Sequence, residues 1–296
     1  MRELGRLITA MATPFDDEGK VDYAQARKLA LALLDSGSQG LVVSGTTGES
    51  PTLSTEEKLR LFDEIKSAVA GRGAVIAGTG NYNTQESCEL TKEAERIGVD
   101  ACLLVVPYYN KPAQEGLYQH FKAVAAATSL PCILYNVPSR TITNLAVETV
   151  VKLSQIDNIV AVKEASANLD QVSKILDGTA PGFLVYSGND SDTFPIMALG
   201  GYGVISVASH LVGEQIKEMI DLTVAGRMEE AAAIHRRLLP LVNALFVVTN
   251  PIPLKYALNK VGFSVGKPRL PLTEPDEKTA AFIEATLKNY QIDLPR

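Results

Sequence analysis

Apolar residues along this chain recur in two rhythms. Short runs that are apolar on both alternations occupy residues 6–10, 40–44, 74–78, 101–106, 132–136, 159–163, 183–187 and 203–207. Such runs are expected of parallel strands buried on two faces. Between them, longer segments repeat apolar residues at helical spacing. Residues 23–35 put Ala26, Leu29, Ala30, Leu33 and Leu34 on one face. Residues 55–70 follow Ser54, which with Glu57 makes an S-x-x-E capping box. A helix opens at Thr84 with Ser87, Leu90 and Ala94, and residues 113–127, 144–153, 168–176, 192–199 and 214–225 continue the series. Eight strands, each followed by a helix, predict an α/β fold, a closed (β/α)8 TIM barrel over residues 1–225. A doubly wound open sheet would share this periodicity. After Gly226 the pattern changes. Residues 227–248, 253–261 and 276–289 read as helices without intervening strands, a C-terminal helical subdomain over 226–296. Pro240 is expected to interrupt or kink the first of them, and Pro251, Pro253, Pro268, Pro271 and Pro275 punctuate the rest.

Composition narrows the class. The chain has 296 residues, 46% of them apolar and 21% charged, which is ordinary for a globular protein and excludes a disordered or collagen-like chain. Its 34 acidic against 28 basic side chains give a net charge of −6, which argues against nucleic acid or an anionic membrane as partner. The three cysteines, Cys88, Cys102 and Cys132, lack any CxxC spacing and read as free thiols in a reducing compartment. His120, His210 and His235 are too dispersed for a structural metal site. The N-terminus has no apolar core of a secretory signal, and no stretch nears the roughly 20 apolar residues of a membrane span. The expected location is the cytoplasm.

Barrels of this type carry their chemistry at the C-terminal ends of the strands. Strand two is followed by Ser44-Gly45-Thr46-Thr47-Gly48-Glu49-Ser50, strand four by Pro107-Tyr108-Tyr109-Asn110, and strand seven by Gly188-Asn189-Asp190. Strand five ends in Tyr135-Asn136-Val137-Pro138-Ser139-Arg140-Thr141. Lys163 closes the apolar run of strand six. Desolvation at a dry barrel mouth disfavours an ammonium, and a neutral amine attacks a carbonyl to form a Schiff base. Taken alone, Lys163 would read more readily as a strand-end lysine that reaches for water or pairs with a nearby carboxylate. Its company changes that. Tyr109 and Tyr135 offer phenols that move protons when held near a reacting atom, and Thr47 is a hydroxyl able to link them. Each tyrosine alone would read as a packed ring with a hydrogen-bonded tip. The Gly45–Ser50 loop has the character of an anion cradle but lacks the P-loop pattern, and Gly78-Thr79-Gly80 lacks the third glycine of a dinucleotide fingerprint. Arg140 offers a planar fork for a second carboxylate.

Three segments, Gly45-Thr46-Thr47-Gly48-Glu49, Tyr135 to Thr141, and Val162-Lys163-Glu164-Ala165, resemble the signatures of the dihydrodipicolinate synthase family, and Gly203-Val204-Ile205-Ser206-Val207 fits as well. The likeness runs in order through nearly the whole chain. It implies a lyase that condenses pyruvate with L-aspartate 4-semialdehyde to 4-hydroxy-tetrahydrodipicolinate, the first committed step of diaminopimelate and lysine synthesis. Lys163 would form the imine, Tyr135 would move protons beside it, and Thr47 and Tyr109 would complete a relay, Tyr109 reaching in from a neighbouring subunit. Thr46 and Thr47 would hold the pyruvate carboxylate against the backbone of Ile205, with Gly188 also at the substrate. Arg140 would take the semialdehyde carboxylate. The resemblance implies no metal or organic cofactor, and a homotetramer built as a dimer of dimers.

Departures from the family pattern carry expectations too. Asn189 stands where an aspartate is common, and it is left outside the site. In some members a feedback site for lysine uses histidines in the helix after the Gly-Thr-Thr-Gly-Glu loop. Here Thr55 and Lys58 stand there, and Tyr82 replaces an asparagine, while Ser50, Glu86 and Tyr108 still fit. Lys58 would repel a lysine cation, so weak or absent feedback is expected. Other pyruvate aldolases, such as N-acetylneuraminate lyase or a keto-deoxy sugar-acid aldolase, would share Lys163 and Tyr135, but a sugar chain wants hydroxyl partners where Arg140 stands. A non-catalytic barrel sensing a small carboxylate would be expected to have lost one of Lys163, Tyr135, Thr47 or Arg140.

Overall fold

The computed structural model describes residues 4–295. Eight parallel strands close into a barrel in sequence order: β1 (Leu7–Ala10), β2 (Gly40–Val43), β3 (Ala74–Gly78), β4 (Ala101–Val105), β5 (Cys132–Asn136), β6 (Ile159–Glu164), β7 (Leu184–Ser187) and β8 (Gly203–Ser206). The barrel closes where Ile8 of β1 pairs with Ile205 of β8, so the open-sheet alternative falls away. Strand alternation sorts side chains into two cores. Ile8, Val42, Ile76, Leu103, Ile133 and Ile205 fill the barrel interior. Leu7, Leu41, Val75, Leu104, Leu134 and Val162 face outward, into the shell of helices. Both faces are apolar because both are buried, which is why no strand shows a polar alternation.

The helices around the barrel are α1 (Tyr23–Asp35), α2 (Thr55–Val69), α3 (Thr84–Ile97), α4 (Gln114–Ala126), α5 (Pro138–Thr141), α6 (Val147–Leu153), α7 (Leu169–Gly178), α8 (Thr193–Ala198) and α9 (Ser209–Val224). The capping box at Ser54 and Glu57 forms in both directions. Two differences from the sequence reading have clear causes. The short helix α5 starts on Pro138, whose fixed φ and missing N–H suit a first helical position; four residues give no periodicity to detect. Helix α9 begins five residues before the predicted start, because its first turn is wholly buried and so shows no apolar stripe set against an exposed face, and a non-helical Val212 marks the junction.

Beyond the barrel lie α10 (Met228–Leu245), α11 (Ile252–Lys260) and α12 (Glu277–Leu287). Pro240 sits inside α10 without interrupting it. This segment packs on the barrel, and its Leu241, Leu245, Leu254 and Leu258 belong to the same apolar shell as the strands' outer faces. Cys102 and Cys132 are buried free thiols and Cys88 is a partly exposed one. Burial pushes Cys102 up to about 12. Among the described residues no helix is long and apolar enough to cross a membrane.

Two histidines are structural. His210 Nε2 accepts from the backbone N of Ala12 at 3.1 Å, so its proton sits on Nδ1, which faces Val207 O at 2.8 Å. His120 Nδ1 meets Thr84 Oγ1 at 2.9 Å. Burial pushes each down to about 4. The unfolded chain takes these protons near pH 6.5 and the folded chain only near 4. Each ring therefore removes stability as pH falls through that window, by about 1.4 kcal/mol per pH unit. A titration of ring resonances by NMR is expected to find both neutral at pH 5, with His210 as the Nδ1–H tautomer; a midpoint above 6 for His210 would contradict this assignment.

Candidate active site

Register brings the central pair together. Tyr135 of β5 pairs with Lys163 of β6, and both lie on the interior face, one alternation from Ile133 and Ala161. Lys163 Nζ stands 4.3 Å from the centroid of the Tyr135 ring, with the two residues only 5% and 6% exposed. The outward-facing neighbours of this pair, Asn136 and Glu164, bond to each other: Asn136 Nδ2 donates to Glu164 Oε1 at 3.0 Å. Glu164 also receives Ser166 N and Gln171 Nε2. Burial raises its carboxyl above the usual range, and those hydrogen bonds oppose the rise. Adjacent residues Lys163 and Glu164 thus serve opposite faces of one strand, and the carboxylate is not in the cavity.

A cavity of about 120 Å³ opens over the pair, walled by Thr46 and Thr47 from the loop after β2, Arg140 from α5, Gly188 and Asn189 after β7, and Asn250 before α11. The loop is a tight turn in which Glu49 N donates to Thr46 O at 3.0 Å and Ser50 N to Gly45 O at 3.2 Å. Gly48 is tightly placed, since a Cβ there would lie 3.1 Å from Met11 O and 3.2 Å from Ser44 Cα. At Gly188 a Cβ would meet the Ala165 Cβ at 2.6 Å, so glycine lets β6 and β7 run close at the mouth. Asp190, two residues on, is buried. It receives the Ser206 hydroxyl and the backbone N–H groups of Val207 at 2.9 Å and Ala208 at 3.2 Å. Burial pushes its carboxyl up, and those hydrogen bonds and the charge of Lys163 pull it back.

Asn250 had no motif to announce it. Its Nδ2 donates to Thr47 Oγ1 at 2.9 Å, and its backbone carbonyl oxygen accepts from Arg140 Nη2 at 3.2 Å. It therefore ties Thr47 to the arginine. It comes from a segment some 200 positions away in sequence, so only the closed fold discloses it. Phe246 and Val207 also line the cavity. Asn189, left outside the site on sequence grounds, lies in the wall, its Nδ2 donating to Asp192 Oδ2 at 2.8 Å. Ile205 does not line the cavity and is 1% exposed in the barrel interior. Tyr109 is not brought to the cavity of its own chain. It is 91% exposed on a backbone of positive φ (71°).

A second, larger cavity of about 580 Å³ adjoins the first and shares Thr46, Tyr135 and Arg140 with it. Ser50, Thr55, Lys58, Tyr82, Glu86 and Tyr108 all line it. Burial pushes Lys58 below its ordinary value, while the Glu86 charge holds it up. Among the described residues no three His, Cys, Asp or Glu side chains gather as a metal site would require.

A closed eight-strand barrel with a lysine, a tyrosine and an arginine gathered at its C-terminal mouth defines a (β/α)8-barrel enzyme. The particular family is given by likeness to known proteins. A family model described as the dihydrodipicolinate synthetase family matches residues 3–290, and the chain belongs to that family. It is 68% identical over 295 residues to a 4-hydroxy-tetrahydrodipicolinate synthase of Dehalococcoides mccartyi, covering 100% of this chain and 99% of that one. A crystal structure of dihydrodipicolinate synthase from Bacillus anthracis superposes with a TM-score of 0.96 at 47% identity, covering all of both chains. The enzyme of Cyanidioschyzon merolae, solved with lysine bound, matches with a TM-score of 0.95 at 48% identity, over 97% of this chain and 98% of that one.

Proposed function

We propose that this chain is a lyase that condenses pyruvate with L-aspartate 4-semialdehyde to give 4-hydroxy-tetrahydrodipicolinate. The observation that carries the reading is the Lys163–Tyr135 pair, held in register on adjacent strands under a cavity that Arg140, Thr46 and Thr47 also line. The Lys163 amine attacks C2 of pyruvate, and loss of water leaves an imine. The positive imine draws electrons from the methyl carbon, which loses a proton and becomes the enamine carbon. That carbon attacks the semialdehyde's aldehyde carbon, forming the C–C bond. The amino group of the joined chain then attacks the imine carbon, closing the ring and releasing Lys163. Tyr135 is placed to carry protons in these steps. Both substrates are carboxylates, so two anion sites are needed. The loop of Thr46 and Thr47 serves pyruvate. Arg140, whose fork has more donors than its contact with Asn250 uses, serves the semialdehyde.

The reading extends to a cytoplasmic homotetramer in which Tyr109 completes the relay of a neighbouring subunit. The exposure of Tyr109 and of the apolar Ile142 (72%) beside the mouth supports a partner there. A coupled assay with both substrates tests the proposal. Turnover is expected with the pair and none with N-acetylneuraminate; the reverse would move the chain to the sugar-acid aldolases.

Feedback by lysine is expected to be weak, because Lys58 already faces Glu86 in the larger cavity and a second ammonium would be repelled. Millimolar lysine should leave the rate nearly unchanged, and an inhibition constant in the micromolar range would refute this.

A further inference from the structure

Glu49 follows Thr46-Thr47-Gly48 directly, on a left-handed backbone (φ 55°). Its carboxylate is buried and held from one direction. Oε1 receives Lys255 Nζ at 2.8 Å, and Oε2 receives the backbone N of Arg269 at 2.8 Å. The side chains of Lys255 and Glu49 are 1% and 0% exposed. Lys255 Nζ also donates to Lys267 O at 3.1 Å and lies 4.0 Å from the centroid of the Phe15 ring. The Arg269 guanidinium stands 4.3 Å from that ring, forks onto Glu57 at 2.8 and 2.6 Å, and donates to Thr52 O at 2.9 Å. Two cations of the C-terminal segment therefore grip two carboxylates that bracket one loop, Glu49 within the turn and Glu57 in the first turn of α2.

Stability alone is a poor reason for such an arrangement. Burial pushes Lys255 down to about 8 even with Glu49 beside it, and buried ion pairs are often no more stable than the apolar side chains that could replace them. What the pair offers is placement. On its inner side the turn is closely packed at Gly48, where a Cβ would lie only 3.1 Å from Met11 O, and Thr13 Oγ1 holds Gly48 O at 2.7 Å. The opposite side of the turn is tethered through Glu49. We infer that Glu49, anchored by Lys255 and Arg269, is a positioning residue that sets the geometry of the Thr46–Thr47 turn for the pyruvate carboxylate, making the C-terminal segment a working part of the site. The inference rests on the proposed role of that turn in binding pyruvate.

The test is the saturation of borohydride trapping by pyruvate, read beside kcat and each KM. Glu49→Gln combined with Lys255→Met removes both charges and leaves an acceptor for Arg269 N. The double variant is expected to fold, to trap fully at saturating pyruvate, and to need at least ten-fold more pyruvate to do so, while KM for the semialdehyde moves less than two-fold. A folded double variant that saturates at the parent's pyruvate concentration would overturn the inference. If that variant does not fold, Glu49→Asp decides. It keeps both charges but draws the carboxylate back by one methylene, and an unchanged pyruvate saturation there would equally overturn it. Failure of the parent protein to trap pyruvate at all would instead sink the functional reading.

Discussion

Lys163→Ala is expected to lose turnover by about 10⁴-fold or more, because no other group in the cavity can become the covalent electron sink. Mass spectrometry after borohydride should find pyruvate fixed to the parent at Lys163 and nothing fixed to the variant. Lys163→Arg keeps a cation but cannot form the imine, and it should fail the same test. The fold should survive either change, since Lys163 lies at the open end of the barrel rather than in its apolar layers. One local consequence is distinctive. Asp190 is pushed up by burial and pulled back partly by the charge of Lys163. In Lys163→Ala that pull is gone, so the Asp190 carboxyl should hold its proton to a still higher pH. Full activity in Lys163→Ala would end the Schiff-base reading.

Arg140→Ala is expected to lower kcat/KM for the semialdehyde by on the order of 10²-fold, the scale of a lost charge-assisted hydrogen-bonding pair. Pyruvate trapping at Lys163 should persist, since Arg140 serves the other substrate. The two variants thus divide the reaction: one removes imine formation, the other spares it and removes the acceptor. Arg140→Lys should recover only part of the loss, because an ammonium lacks the planar fork. Stability should hardly change, as Arg140 lies exposed on the short helix α5, held by a hydrogen bond to the backbone O of Asn250. A KM for the semialdehyde equal to the parent's would show that its carboxylate binds elsewhere. Asn250, joined to both Arg140 and Thr47, belongs in the same series. Asn250→Ala removes only the side-chain bond to Thr47, since Arg140 is held by the backbone oxygen, so it should weaken saturation by pyruvate and leave that by the semialdehyde nearly unchanged.

Much of this was legible from residue order. The strands carry continuous apolar runs because both faces are buried, and the helices between them carry a one-sided apolar stripe. Those two patterns mark eight strand–helix units and locate the strand ends, but an open sheet would show them too, and closure is seen only in the pairing of β1 with β8. Lys163, Tyr135, Thr47 and Arg140 were found there because a polar side chain closing an apolar run is unusual enough to see. The limits of that view are equally physical. Helix α5 is too short to show a period, and Pro240 sits within α10 although its sequence argues for a break there. Asn189 was set aside because it departs from the family pattern, yet it stands in the cavity wall.

By itself, the sequence determined the alternation of strands and helices, the strand ends and the four side chains proposed to carry the reaction, since periodicity and local contrast are properties of near neighbours. Tertiary structure alone decided that Lys163 and Tyr135 face each other in register, that Asn250 bridges Thr47 and Arg140, that Lys255 and Arg269 hold Glu49, and that Tyr109 points away from its own cavity. Those are contacts between segments up to 200 or so positions apart, and no local rule of propensity or spacing reaches that far.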